Sequence, residues 1–442
     1  MVVRIVDAPS PSPQAPAQGP MATPIAPPAA VMAPAPPMAR EVSPPPPEQP
    51  MPPPPAEAGS SPPPDFAALT ARETAVIEVN GQYVYEWESV WVQHRWAEAY
   101  PLFRFTRAEE VPVPSLWTQA QFKPGDFVAI FLGGQLAVSG RILIWHTAFA
   151  AEHHQVMLQG VGLTWQAAGA SHIDKDGNFD GMTFMAIVDR VLAPFGIKAL
   201  PVGTPNGTPF KQAQISPGET IWDFFERLGR DVGAIVGSDQ YGNFLIIWDH
   251  VGKVTAELTE GINILRCEAI ITVENWFNEY IVRGQMPASD DTNGAAASEQ
   301  EAIAPGRLGV YRPLLTPSEQ PVDSGMLQLR AYNEAKWHEG TWLQVVCTVQ
   351  GWFRPDGLSL WMAGDDVMFS SPSAMINQVM KIQTATFTQD RGQGTLTTLE
   401  LVAPWLLNDI SDIDVRNPNT VPRPGQAVTN TKPPETPPPA TQ

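Results

Sequence analysis

Alternation of apolar and polar positions predicts two similar strand meanders in this chain. The first begins at Gly125-Asp126 and continues through residues 127–131, 139–144 and 154–160. The second begins at Gly364-Asp365, 239 positions later, and continues through residues 366–369, 379–384 and 395–401. In each copy a Gly-Asp turn opens a short apolar strand, and the third strand alternates with period 2, as in a half-buried antiparallel meander. The pattern predicts two similar small barrels in one chain.

Between the two meanders the apolar positions change to a helical period. Residues on one predicted helical face are Phe184, Ile187, Val188, Val191 and Leu192. Spacings of three and four residues favour a helix, and Gly196 is placed to end it in the left-handed conformation. This segment therefore differs in class from the strands on either side.

A second helix is predicted after Ser216-Pro217-Gly218-Glu219. This motif is interpreted as an N-cap serine, a proline at the first helical position and a capping-box glutamate. Its predicted buried stripe consists of Ile221, Phe224, Phe225 and Leu228. Residues 234–236 and 244–248 then flank a turn and predict a hairpin, so the middle of the chain is a small α+β domain.

The predicted organisation is mainly β with α+β, with two related β-barrel domains in tandem separated by the small α+β domain. Its parts are a Pro-rich extended arm (1–65), the first barrel (66–172), the α+β domain (173–255), the second barrel with an inserted helix over 324–340 (256–406) and a Pro-rich tail (407–442). Residues 1–65 contain 23 of the 48 prolines, and residues 418–439 contain another 8. Such segments favour extended polyproline II and bury little apolar surface, which predicts disordered termini.

The net charge argues against stable binding to nucleic acid. It is −19 overall, with −3 on residues 1–65 and zero on residues 411–442, which leaves −16 on the folded part. An acidic surface repels phosphate backbones, although DNA can still slide past it.

The cysteines and the N-terminus predict a soluble protein made in a cytoplasm. Cys267 and Cys347 lie in apolar, strand-like stretches and are expected to be small buried hydrophobes. The N-terminal apolar run is too short for a signal peptide, and no run of about 18 apolar residues predicts a membrane span.

Candidate chemistry is sparse. Asp174, Asp176, Asn178 and Asp180 alternate like calcium ligands, but Phe179 and Met185 stand where an EF-hand needs glycine and glutamate, so a polar turn is expected. His153 and His154 are adjacent and would point to opposite faces of a strand. The paired carboxylates Glu109-Glu110 and Asp365-Asp366 are expected on solvated turns, and the fourteen tryptophans in the core and interfaces. We expect no catalytic, cofactor or metal site.

Five short motifs occur in order over roughly residues 120–406. They are 216–220 with 226–228, 261–265, 280–285, 330–335, and 349–352 with 360–361. In this order they resemble the baseplate hub proteins of contractile-tailed phages, of the Mu type, related to the T4-type hub and to the hub part of type VI secretion spikes. The residues that carry the resemblance, with structural roles only, are Gly125, Asp126, Pro217, Gly218, Glu219, Arg227, Gly284, Gln285, Arg330, Gly351, Trp352, Gly364 and Asp365.

The resemblance implies a structural virion protein of the tail baseplate, assembled in the host cytoplasm. It implies that both barrels are tube-forming, with α+β material outside them, and that a homotrimer makes a pseudo-sixfold ring. Such a ring would adapt the sixfold tail tube to the threefold spike and enclose the channel. Implied partners are the tail tube or tube-initiator protein, the central spike, the baseplate wedge proteins and the tape-measure protein, with DNA only in transit and no stable membrane association.

Two alternatives remain open at the sequence level. A type VI secretion-like spike protein would need a further barrel and a β-helix after the hub, where this chain has a Pro-rich tail. A secreted carbohydrate-active enzyme would need a signal peptide and a catalytic set, and neither is recognised.

Overall fold

The computed structural model describes residues 73–79, 81–85, 87–109, 122–150, 153–172, 177–284, 300–318 and 324–408. All of these residues fall in the compact unit Ala56–Gln442. The predicted arm over residues 1–65 and all but the first two residues of the predicted tail lie outside the described residues.

The described chain is mainly β. Its strands are β1 (Ala75–Val79), β2 (Gln82–Val84), β3 (Ser89–Arg95), β4 (Leu102–Glu109), β5 (Phe127–Leu132), β6 (Gln135–Ala150), β7 (His153–Gly162), β8 (Ala199–Val202), β9 (Ile235–Ser238), β10 (Phe244–Ile247), β11 (Val254–Thr259), β12 (Arg266–Ile271), β13 (Glu279–Gly284), β14 (Gln300–Pro305), β15 (Pro313–Pro317), β16 (Leu343–Gln350), β17 (Asp366–Ser371), β18 (Ile376–Asp390) and β19 (Gly394–Val402). Its helices are α1 (Trp165–Ala168), α2 (Phe184–Leu192), α3 (Ile221–Val232) and α4 (Ser324–Gly340), with 3₁₀ turns at Ala193–Phe195 and Pro404–Leu407.

Thirteen of these strands form one continuous sheet. Its order is β12-β16-β19-β18-β3-β4-β7-β6-β5-β1-β2, with β17 beside β18 and β11 beside β17. The two predicted meanders, β5-β6-β7 and β17-β18-β19, lie in different halves, and the halves join where β3 pairs with β18. The mainly β prediction with α+β is confirmed. Two closed barrels are not seen among the described residues. The sequence could not decide this point, because alternation determines the faces of a strand and not its edge partners.

The duplication of the meanders extends to individual hydrogen bonds. The N–H of Gly125 donates to the carbonyl of Ile142 at 2.7 Å, and the N–H of Gly364 donates to the carbonyl of Ile382 at 2.8 Å. The aspartate after each glycine accepts from the same isoleucine, at 3.1 and 2.9 Å. Both glycines have positive φ, +98° and +93°, and a register shift follows each isoleucine. The two halves are therefore structural repeats.

The small α+β region contains a three-stranded sheet in the order β8-β10-β9. The predicted stripe of α2 is fully buried, and Gly196 closes the following 3₁₀ turn with φ +64°, so both predictions are confirmed. The hairpin β9-β10 was predicted, whereas β8 was not, because it has four residues and includes Pro201.

The predicted start of the second helix is wrong by four residues. The N-cap of α3 is Thr220, whose hydroxyl accepts from the N–H of Asp223 at 3.1 Å. Residues Ser216 to Glu219 instead form a turn, closed by the N–H of Glu219 on the carbonyl of Ser216 at 3.0 Å. Gly218 has φ +87°, which a Pro-Gly turn of type II requires and a helix does not allow. The predicted stripe of α3 is buried, as expected.

A second correction concerns the cysteines. Cys347 is buried, as predicted, but Cys267 is exposed. The two residues lie directly opposite each other on β16 and β12. Cys267 is exposed because β12 is the last strand at its end of the sheet.

The capping geometry of α3 generates a prediction. Thr220→Ala should lower the free energy of unfolding by about 1 kcal/mol, because it removes the acceptor for an end N–H of the helix. Ser216→Ala should leave stability nearly unchanged, since the contacts of Ser216 in the turn use its backbone. Thermal or denaturant unfolding measures the stability of both variants. A larger loss of stability for Ser216→Ala than for Thr220→Ala would show that Ser216 is the N-cap after all.

Candidate assembly interface

The residues that carry the family resemblance occupy several separate places. Pro217, Gly218, Glu219 and Arg227 lie together at the start of α3, Arg330 lies between α3 and α4, Gly284 ends β13, Gly351 and Trp352 follow β16, and the two Gly-Asp pairs precede β5 and β17. Gln285 lies outside the described residues. The structure therefore does not bring these residues into one pocket.

An ion pair locks the turn before α3. Arg227 donates from Nε to Glu219 Oε1 at 2.7 Å and from Nη2 to Glu219 Oε2 at 2.8 Å, which is bidentate geometry. The same Nη2 donates to the carbonyl of Gln214, and the guanidinium lies over the ring of Phe224. Glu219 also accepts from the N–H of Ser216. These contacts fix the entry of the chain into the helix, which is a structural role.

A buried charge cluster holds α3 against α4. Arg330 donates from Nη1 to Asp231 Oδ1 at 3.1 Å and from Nε to Glu334 Oε1 at 2.9 Å. Arg330 and Asp231 are almost fully buried. Removal of either charge would leave the other buried without its counterion, which is strongly destabilising.

Close packing explains two further motif positions. A Cβ on Gly284 would lie 2.9 Å from Leu327 Cδ2, so the glycine lets β13 approach α4. Trp352 is fully buried in the main core and donates from its indole to the carbonyl of Thr388 at 3.3 Å. The expectation that tryptophans are core anchors holds for Trp352, Trp361 and Trp405.

The two Gly-Asp turns are held in the same way. Arg141 Nη1 donates to the carbonyl of Gly125, and Lys381 Nζ donates to the carbonyl of Gly364, both at 2.9 Å. In the second repeat Lys381 also pairs with buried Asp366 at 2.5 Å. The neighbouring carboxylate, Asp365, pairs with Arg354 at 3.1 Å, and burial raises its pKa. The expectation of a solvated turn is therefore wrong for Asp365 and Asp366, because both are at least half-buried and have cationic partners.

The described residues contain no group of three or more potential metal ligands. Of the calcium-like alternation, Asp174 and Asp176 lie outside the described residues, while Asn178 and Asp180 hydrogen-bond to each other in a turn. No helix in the described ranges is long and apolar enough to cross a membrane.

A cavity of about 640 Å³ lies between α3, α4 and the main sheet. Arg230, Asn333, Trp337 and Leu343 are among its lining residues. Two cations on its wall are paired within the protein: Arg330 with the carboxylates described above, and Lys336 Nζ with Asp249 Oδ1 at 2.6 Å. We assign this cavity to the packing of the helices on the sheet.

The feature with the clearest implication for assembly is the joint between the repeats. Strand β3 pairs antiparallel with β18 over seven residues, with Val92 opposite Phe387. Both side chains are fully buried. His94, also on β3, is buried and lies with Nε2 2.6 Å from the carbonyl of Ala137 on β6. The joint thus ties the core of one repeat to the other.

Several strand edges elsewhere in the sheet lack such a partner among the described residues: β2 and β11 each pair on one side only, and two further edges are those of β12 and of the second half of β6. On its outer side β12 faces no described strand, and Ile270 and Ile271 on it are 50% and 41% exposed. The second half of β6 pairs with β7 on one side only, and His146, Thr147 and Ala148 there are exposed. Sequence alternation could not reveal these edges, because it gives no information on which strands end a sheet.

The comparisons with known proteins agree with the resemblance drawn from the sequence motifs. Residues 168–247 match the family model described as "Baseplate hub protein gp44-like, second domain". The matched range spans α2, α3 and the sheet β8-β10-β9. The resemblance to baseplate hub proteins is confirmed by this match. No curated protein sequence matches the chain.

Two solved structures share the fold. One is the 43 kDa tail protein of prophage MuSo2 from Shewanella oneidensis, with 22% identity and a TM-score of 0.65, over 76% of this chain and 100% of that chain. The other is a tail protein from Neisseria meningitidis MC58, with 19% identity and a TM-score of 0.63, over 76% of this chain and 98% of that chain. The chain thus contains a region that matches the second domain of gp44-like baseplate hub proteins, and it shares the fold of these two tail proteins.

The burial of His94 generates a prediction. Burial lowers the pKa of His94 to about 4, from an ordinary value near 6.5. Between pH 4 and pH 6.5 the unfolded chain therefore binds a proton at His94 more readily than the folded chain does. The free energy of unfolding falls as the pH is lowered from 6.5 toward 4, by up to about 3 kcal/mol.

His94→Gln can keep a donor to the Ala137 carbonyl but cannot titrate. We expect the difference in unfolding free energy between wild type and this variant to shift in favour of the variant as pH falls from 7 to 4. Denaturant unfolding at several pH values measures it. A difference that does not change with pH would show that His94 is not held neutral in the joint.

Proposed function

We propose that this protein is a baseplate hub that forms a homotrimeric ring. The observation that carries the proposal is the pair of open edges, β12 and the second half of β6, at the ends of two repeats that are already joined inside the chain. An open strand edge is a template for pairing with another chain. Here the repeated fold supplies a matching edge on a second copy.

Successive copies joined in this way would alternate internal and intermolecular joints. A head-to-tail interface closes into a ring when its rotation allows. Three copies would then present six similar half-sheets, which is the pseudo-sixfold ring expected from the duplicated meander. Each half-sheet would complete its barrel-like surface by pairing with its neighbours. Two tube-forming domains would then be compatible with a single chain whose described strands form an open sheet.

Such a ring would act as a symmetry adaptor. Its six similar surfaces suit the sixfold tail tube or tube-initiator protein, and its true threefold symmetry suits the central spike. Wedge proteins would contact its outer side, and the tape-measure protein and later DNA would pass through the channel. The net charge of −19 supports passage of DNA without stable binding. The location would be the virion tail baseplate, after assembly in the host cytoplasm.

A non-enzymatic role is part of the proposal. It is supported by the family match and by the structural partners of the motif residues, including Arg227, Arg330 and Asp365. A type VI secretion-like hub remains the second candidate, because it would use the same ring. The carbohydrate-active enzyme has no observation in its favour.

The ring predicts a defined mass in solution. Light scattering after size exclusion should give three copies of the 48.1 kDa chain. Ile270→Lys, which places a charge beside the open edge, should shift the protein to a monomer that still unfolds in one cooperative transition, although its melting temperature falls because association no longer stabilises it. Val310→Lys is the control for an added charge, because Val310 is 65% exposed on the loop between β14 and β15 and belongs to neither open strand edge. A wild-type monomer or a six-chain ring would contradict the proposal.

A further inference from the structure

We propose that β12 of one copy pairs antiparallel with residues 144–150 of the next copy, in a register that places Ala269 opposite Thr147. This inference rests on the proposed ring and specifies its seam. It follows from treating the internal joint between β3 and β18 as the template for the joint between copies.

The register can be derived by following the pairs across each repeat. In the first repeat Val92 lies opposite Phe103, which lies opposite Gly160, which lies opposite Ile142. In the second, Ala269 lies opposite Val345, which lies opposite Leu401, which lies opposite Ile382. The hydrogen bonds of the Gly-Asp turns equate Ile142 with Ile382. Ala269 on β12 therefore occupies the position of Val92 on β3.

The other side of the seam is fixed by the two bulges. Each register shift lies immediately after the equivalent isoleucine, between residues 142 and 144 in β6 and between residues 382 and 384 in β18. Thr147 therefore occupies the position of Phe387. Because Val92 lies opposite Phe387 in the internal joint, Ala269 should lie opposite Thr147 between copies.

The character of the two edges fits this pairing. In the internal joint Val92 and Phe387 are fully buried, while the equivalent β12 edge carries half-exposed Ile270 and Ile271. Exposed apolar side chains on an unpaired edge favour association with another strand. In the derived register Ile270 lies opposite His146, which is exposed in the single chain. Pairing would lower the exposure of both residues toward that of the equivalent pair Gln93 and Thr386, which are half-buried in the internal joint.

A second layer of contacts supports the same seam. Over the internal joint Trp96, which follows β3, packs against Val402, Leu406 and Leu407, where the last two belong to the 3₁₀ turn after β19. The residue equivalent to Trp96 after β12 is Val273, which is 51% exposed. The short helix after β7 begins at Trp165, which is 38% exposed. Val273 of one copy would cover Trp165 of the next.

Disulfide trapping tests the register in the full-length protein. The variant Thr147→Cys with Ala269→Cys, in a Cys267→Ser background, should give oxidised species of two and three chains on non-reducing gels and none larger. Opposed residues of an antiparallel pair have Cα atoms about 4.5–5.5 Å apart, which a disulfide can bridge. The control is Thr147→Cys with Ile270→Cys in the same background, because a slip of one residue points the two side chains to opposite faces.

Hydrogen exchange of the wild-type protein gives an independent reading that needs no cysteine variant. Amides of β12 and of residues 146–148 should exchange more slowly in the trimer than in the Ile270→Lys monomer. A trimer that shows neither the cross-link nor this protection would overturn the seam and leave the proposed ring standing. Equal cross-linking of the control pair would overturn the register. A wild-type protein without a trimer would overturn the proposed function itself.

Discussion

The antiparallel pairing of β3 with β18 is the interaction on which the rest of the structure depends. It joins two repeats that lie far apart in sequence into one sheet, and it brings Val92 and Phe387 together in one core. A strand buried on its faces must also satisfy its backbone N–H and C=O groups. At the joint these groups pair within the chain. At β12 and the second half of β6, the backbone groups on the outer side have no partner strand among the described residues.

The repeats have diverged where their surroundings differ. Strand β1 lies antiparallel to β5 in the first repeat, whereas β11 lies parallel to β17 in the second. Val92 inside the joint is fully buried, while its equivalent on the open edge is the smaller Ala269. The chain is thus a duplication with two distinct ends, and only a closed assembly would make all its joints similar.

The charged motif residues stabilise the packing of elements. Glu219 and Arg227 hold a turn, Arg330 and Asp231 hold two helices together, and Lys381 holds a Gly-Asp turn. Buried pairs of this kind are costly to break and geometrically demanding, so they fix the two turns and the packing of α3 against α4. That rigidity would suit the proposed seam, in which two strand edges must meet in register.

The sequence by itself determined the local features of this protein. Period-2 alternation predicted both meanders, period-3.6 stripes predicted α2 and α3, and ordered motifs predicted the resemblance to baseplate hub proteins, because each depends on residues close together in the chain. Tertiary structure decided that Cys267 lies at a sheet edge and that β3 crosses to β18. These features depend on which distant strand satisfies a given backbone edge, and alternation of side chains carries no information about that choice.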